Sequence, residues 1–134
     1  MELEFHQLDL KYEGLRVVDP GRQARLVASL ATSGQRSPVL VVAAGADRYV
    51  LIDGYRRVAA LRSLSRDTVE ALVLPGGEAG ALVLSHRLET SRRRSALEEA
   101  WLLRELVEHH GMGQRELAVA LERSASWVSR RLAL

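Results

Sequence analysis

Tyr49 to Leu64, YVLIDGYRRVAALRSL, joins a short apolar run to a helical pattern through Asp53-Gly54. Tyr49 to Ile52 reads as a strand, and beyond the glycine Val58, Ala59, Leu61 and Leu64 recur at helical spacing until Ser65-Arg66-Asp67. A strand, a glycine and a helix start in that order place backbone N–H groups without helical acceptors at one corner, beside Arg56 and Arg57. That corner suits an anion. Glycine at such a turn is equally explained by its backbone freedom alone, so both readings stand at this point.

Working outward, Pro38 to Ala44, PVLVVAA, has no polar interruption and predicts a central strand covered on both faces. Gly45-Ala46-Asp47 turns it into the next strand as a hairpin. Asp19-Pro20 reads as the cap and first residue of a helix whose apolar side is Ala24, Leu26, Val27, Leu30 and Ala31, ended by Gly34. Residues 3–10 alternate well enough for a half-buried strand, and Leu15 to Val18 suggest a second short one. Downstream, Thr68 to Leu74 predicts a strand closed by Pro75-Gly76-Gly77, and Glu78 to Leu88 a helix.

The polar run SRRRS at 91–95 reads as a linker, and everything after it looks helical. Leu97, Ala100, Trp101, Leu102 or Leu103, Leu106 and Val107 mark one helix, interrupted at Gly111 and Gly113. Glu98 and Glu99 at its start need no function, since acidic residues favour helix N-termini. The fold class expected is therefore α+β, with a small mixed sheet and helices over 1–90 and an all-helical unit over 95–134.

With 134 residues, 47% hydrophobic and 27% charged, the composition is that of an ordinary soluble protein of one compact domain or two small units. The longest apolar run is too short for a bilayer, and the N-terminus lacks a secretory pattern, which points to the cytoplasm and away from membranes. Zero cysteines exclude disulfides, thiolate metal sites and cysteine catalysis. His6 and His86 are isolated and His109-His110 diverge on a helix, so no metal site is expected. The net charge of +2 comes with 18 arginines and one lysine, Lys11. Arginine suits bidentate contacts to phosphate and guanine edges, although a GC-rich genome also favours it. It concentrates at 56–66, 92–94 and 123–131.

The segment Gly113 to Leu134, GQRELAVALERSASWVSRRLAL, carries the outline of a helix-turn-helix. A helix from Gln114 to Leu121 turns Leu117, Ala118 and Leu121 inward, and the next begins near Ser124 or Ser126 with Val128 and Leu132 inward. The small Ala118 permits a close crossing, and Ser124-Ala125-Ser126 can cap the second helix. The expected DNA contacts are Gln114, Ser124, Ser126, Trp127, Ser129, Arg130 and Arg131. A plain helical hairpin with a solvated basic face is the competing reading. Glu122-Arg123 stand where such turns often carry a glycine for positive φ.

Four stretches together resemble the ParB/Noc-type partition family, whose N-terminal domain is sulfiredoxin-like: SLATSGQRSPVLVV at 29–42, YVLIDGYRRVAAL at 49–61, SALEEAWLLREL at 95–106 and the helix-turn-helix. The resemblance covers about 120 residues in the same motif order. It implies an N-terminal domain that binds CTP with Mg2+, a helix-turn-helix that binds a short palindromic DNA site, and a homodimer that CTP closes into a sliding clamp. It assigns Gly34, Pro38, Gly54, Arg56, Arg57 and Glu89 to nucleotide binding and no residue to catalysis.

Departures from the family pattern accompany those matches. The motif glycine-glutamate-arginine-arginine appears as Gly54-Tyr55-Arg56-Arg57, a later motif arginine falls at Ala59, and Ser37 stands where glutamine is common. In SHRLETSRRRS the motif asparagine is missing, though Glu89 and Arg92 to Arg94 are nearby. Loss of a carboxylate and of a phosphate-side arginine weighs against hydrolysis more than against binding. Absence of cysteine argues against sulfiredoxin activity. Family proteins continue with further helices and a dimerising segment, so a chain ending at Leu134 is expected to be a truncated form or a short relative, dimeric only in the full-length context.

The function expected is that of a nucleoid-associated, sequence-specific DNA-binding protein of chromosome or plasmid partition or mobile-element maintenance, gated by CTP. The alternatives are a CTP-hydrolysing or nuclease-like enzyme on the same fold, and a protein-interaction module that kept the fold and lost both ligands.

Overall fold

The apolar run at 38–44 becomes β3 (Val39–Ala43), the middle strand of a five-stranded sheet in a computed structural model that describes residues 1–88 and 94–134. The chain divides into two compact units, Met1–Ala81 and Leu82–Leu134. Glu89 and most of the expected linker lie outside the described residues.

In the first unit the strands run in the order β1 (Glu2–Glu4), β5 (Thr68–Val73), β3, β4 (Tyr49–Asp53), β2 (Leu8–Asp9). β3 and β4 form the expected antiparallel hairpin, with Val41 opposite Leu51. β3 pairs parallel with β5, β1 antiparallel with β5 and β2 parallel with β4, which makes the sheet mixed. The core is built from Leu3, Val39, Val41, Leu51 and Val69 of the sheet, with Leu30 of α1 (Pro20–Ser33) and Val58, Ala60 and Leu61 of α2 (Tyr55–Ser63).

The single strand expected over residues 3–10 is instead two strands at opposite edges, separated by one turn of 3₁₀ helix, Phe5–Gln7. Glu4, still paired with Thr68, donates its N–H to Gln7 Oε1 (2.9 Å) and so caps the turn that ends β1. Such a turn advances the chain by only about 6 Å, so the sheet must curl until its two edges approach. The expected strand at 15–18 does not form either: Leu15 ends a 3₁₀ turn, Glu13–Leu15, with its N–H on the Tyr12 carbonyl (3.1 Å), and Arg56 donates to the Val17 carbonyl (3.1 Å).

α1 starts and stops as expected. The Asp19 carboxylate accepts the Arg22 N–H (3.1 Å), the main reason its pKa falls below the ordinary aspartate value, and Gly34 closes the helix at φ 71°. Its buried stripe is narrower than the apolar pattern: Leu30 is buried, Leu26 and Val27 half-buried, Ala24 and Ala31 exposed.

The second unit takes in the C-terminal part of α3 (Glu78–Arg87), then α4 (Ala96–His110), α5 (Gln114–Leu121) and α6 (Ala125–Leu132). Ser95 caps α4 in a reciprocal box with Glu98, and Gly111 ends it in the left-handed region. Leu102, Leu103 and Leu106 of α4 are buried, as are Leu117, Ala118, Leu121 and Val128. Among the described residues, no helix is long and apolar enough to cross a membrane.

Candidate functional site

The corner after β4 is shaped first by sterics. Gly54 sits at φ 114°, and a Cβ built there would lie 2.4 Å from Val39 Cγ1 and 2.7 Å from Val39 Cβ. The turn therefore presses its backbone against β3, which only glycine permits. α2 begins at the next residue with no side-chain cap, so its first N–H groups have no acceptor within the helix.

Three guanidinium groups gather beside those N–H groups, each holding a protein acceptor. Arg57 donates through Nη1 to the Ser37 carbonyl (2.8 Å), to Ser37 Oγ (2.8 Å) and to the Pro38 carbonyl (3.1 Å), and its Nη2 lies 3.7 Å from Asp53 Oδ2. Burial pulls the Arg57 pKa down, and Asp53 opposes that shift. Arg56 reaches the Val17 carbonyl, while its own carbonyl accepts Gln23 Nε2 (2.9 Å). Arg16 donates to Asp53 Oδ1 (3.3 Å). The corner thus unites Pro38, Gly54, Arg56 and Arg57, whereas Gly34 serves as the terminus of α1, its N–H on Leu30.

Tyr55 fills the position where a carboxylate was expected from the motif. Its hydroxyl donates to the Leu51 carbonyl (2.6 Å) and accepts the Tyr12 N–H (3.0 Å). Burial pushes the phenol well above its ordinary pKa, so it stays neutral. The Tyr12 hydroxyl in turn bonds Glu78, which also pairs with Lys11 (2.6 Å). Residues 11–17 are therefore strapped along the corner by Tyr55, Arg56 and Arg16.

In the second unit, α5 and α6 are joined by Glu122, Arg123 and Ser124. Glu122 takes φ 55°, the positive angle for which a glycine would have been the usual residue. Ser124 Oγ accepts the Trp127 N–H (3.0 Å) and caps α6. With Val128 buried, Ser126, Ser129 and Arg130 face solvent, and Gln114 is exposed at the start of α5.

Trp127 and Arg131 lie on the flank of α6. Arg123 and Arg131, four residues either side of Trp127, stack on its ring at 4.9 and 5.2 Å. His86 meets the same ring edge-on at 6.4 Å. Glu99 Oε1 accepts Arg131 Nε (3.2 Å), and Glu99 Oε2 lies 2.8 Å from His86 Nε2. An open groove of 580 Å³ runs past Trp127, lined also by His86, Arg87, Glu99, Arg123 and Arg131.

Arg16, Asp53, His86 and Glu99 escaped the reading of the sequence. The pairs Arg16–Asp53 and Glu99–Arg131 join residues more than 30 positions apart, and His86 meets Glu99 across 13, so no local period signals them. Helix-start preference explains Glu98 through its capping box, but Glu99 has this second engagement.

Residues 1–85 match the ParB N-terminal domain family. A probable chromosome-partitioning protein ParB of Pseudomonas putida is 31% identical over 126 residues, which is 92% of this chain and 43% of that protein. The chain thus spans less than half the length of this curated relative. Two crystal structures of C-terminally truncated ParB from Caulobacter crescentus, each 23% identical, align with the whole chain. The complex with CTP-gamma-S superposes at a TM-score of 0.59 over 78% of that protein, and the complex with the centromeric parS site at 0.58 over 72%. At that identity they share the fold.

Proposed function

The chain belongs to the ParB family, and from that premise we propose that it is a sequence-specific DNA-binding protein of chromosome or plasmid partition or mobile-element maintenance, acting at the nucleoid. The observation that carries this reading is the α5–α6 pair, with a buried crossing at Leu117, Ala118 and Val128 and Ser126 and Arg130 on its open face. In this reading α6 is the recognition helix of a helix-turn-helix, with Arg130 on a guanine edge or phosphate and Ser126 and Ser129 beside it. Ser124 acts through the cap instead, and Gln114 at the first turn of α5 reaches the backbone.

CTP at the corner is the second half of the proposal, favoured by three arginines next to the uncapped start of α2. Residues 1–90 form the nucleotide-binding domain in this scheme and 95–134 the DNA-binding unit. Arg16, Arg56 and Arg57 fit a triphosphate by charge, and CTP would supply the anion on which they close. Mg2+ fits less well on protein groups: Asp53 is already shared by Arg16 and Arg57, and no group of three or more metal-ligating side chains occurs among the described residues. Phosphate oxygens would have to hold it. A homodimer in the full-length context completes the scheme.

Selection of bound duplexes from a random pool, followed by titration of Arg130→Ala at several salt concentrations, tests the DNA reading. A palindromic consensus is expected, with Arg130→Ala costing about 1–3 kcal/mol on it if the contact is to a guanine. Unchanged affinity and unchanged salt dependence would refute the assignment.

A further inference from the structure

We propose that Glu99 is a positioning residue, which together with Trp127 holds Arg131 ready for a backbone phosphate in the groove along α6; the inference rests on the DNA-binding reading and deepens it. Arginine has five N–H donors in one plane. Glu99 takes only the inner one, Nε–H, and it is the sole acceptor of Arg131 among the described residues. The Trp127 indole, its centroid 5.2 Å from the guanidinium carbon, adds a cation–π contact that helps hold the group in place. Four N–H donors on Arg131 are thus left for an acceptor arriving from outside.

The other groups of the groove determine the chemistry of that acceptor. Arg123 stacks on the same indole, His86 donates to Glu99, and Arg87 pairs with Glu122 across an exposed contact of 3.0 Å. Glu99 is engaged at both oxygens, by Arg131 and by His86, and its side chain is only 12% exposed, which limits its repulsion of an incoming anion. A phosphate diester fits this arrangement, because it accepts from a planar fork and gains from the second guanidinium nearby. Contacts of this kind fix the orientation of a recognition helix and carry no sequence information.

Phosphate contacts are counted by salt dependence, and a random-sequence labelled duplex pool suffices as the probe. The full chain, Glu99→Ala, Glu99→Gln, Arg131→Ala and the double variant Glu99→Ala plus Arg131→Ala are titrated with that pool over a range of NaCl, with thermal unfolding measured on each. Loss of one phosphate contact lowers the slope of log K against log salt by about 0.9, which is roughly eightfold in affinity at 0.1 M salt. That loss is expected for Arg131→Ala and Glu99→Ala, with no further loss in the double variant. Glu99→Gln keeps an acceptor for Nε and should restore the slope.

An unchanged slope for Glu99→Ala, with any affinity loss tracking its fall in Tm, would reduce Glu99 to a structural tie and overturn the proposal. Tighter binding by Glu99→Ala would mean that the carboxylate only repels DNA, and would overturn it too. If Glu99→Ala does not fold, a normal slope for Arg131→Ala overturns it by itself. Absence of salt-dependent binding by the unmodified chain refutes the DNA-binding reading, and this inference falls with it; binding by that chain with any of the other adverse outcomes leaves the reading standing and removes only the role of Glu99.

Discussion

Gly54 has a complete steric reason to be glycine. Its φ of 114° is one that L side chains rarely adopt, and Val39, fully buried in the central strand, stands where a Cβ would go. Gly54→Ala should therefore lower stability by about 3 kcal/mol or more, read as a fall in the urea midpoint. Trimming the neighbour gives little relief, since the Cβ of Val39 is itself 2.7 Å away and remains in Val39→Ala. A double variant as unstable as the single one is the expected result; full recovery would mean that the turn can move. Its packing against β3 is sufficient to explain this glycine of the anion corner without a ligand. Tyr55 teaches the converse: a residue that departs from a motif can have work elsewhere, here in joining Leu51 to Tyr12.

At the scale of elements, the turn between α5 and α6 carries a local conflict. Glu122 adopts the left-handed conformation without being glycine, and its tie to Arg87 is between exposed groups, worth little in water. Glu122→Gly should then stabilise the second unit by about 0.5–1 kcal/mol, measurable as a rise in Tm, and a fall would show that the ion pair outweighs the backbone strain. The sequence revealed this conflict because positive φ is a local property of a turn. Helices and the hairpin were legible for the same reason: capping at Asp19, Ser95 and Ser124, the glycines at 34 and 111, and the apolar period all act within a few residues. What was not legible depends on distant partners. The split of residues 3–10 follows from β1 pairing with β5 and β2 with β4. The missing strand at 15–18 goes with a 3₁₀ turn ending at Leu15 and with Arg56 on the Val17 carbonyl, and the place of Arg131 follows from Glu99, 32 residues earlier.

Over the whole molecule, charge and chemistry separate. Residues 1–81 balance ten basic against ten acidic side chains, while 82–134 hold nine arginines against seven glutamates, so the formal excess of +2 belongs entirely to the second unit. The proposed DNA surface thus lies in the part with the surplus, and the proposed nucleotide site in a neutral one whose arginines are already bonded to Asp53, Val17, Ser37 and Pro38. An entering triphosphate must exchange those bonds for its own, which lowers net affinity without removing the charge match. Turnover needs more, namely a group to position water or metal, and at the motif position Tyr55 presents a neutral, partly buried phenol bonded at both donor and acceptor sites. Titration of the chain with CTP, UTP, ATP and GTP should accordingly give binding by CTP with phosphate release at the buffer background. At a CTP concentration a hundredfold above Kd the ligand should stabilise the chain by about 2.7 kcal/mol, visible as a raised Tm. Release well above background would mean that another residue supplies the missing carboxylate, and failure of all four nucleotides to shift Tm would leave the corner as a structural knot of arginines about Asp53.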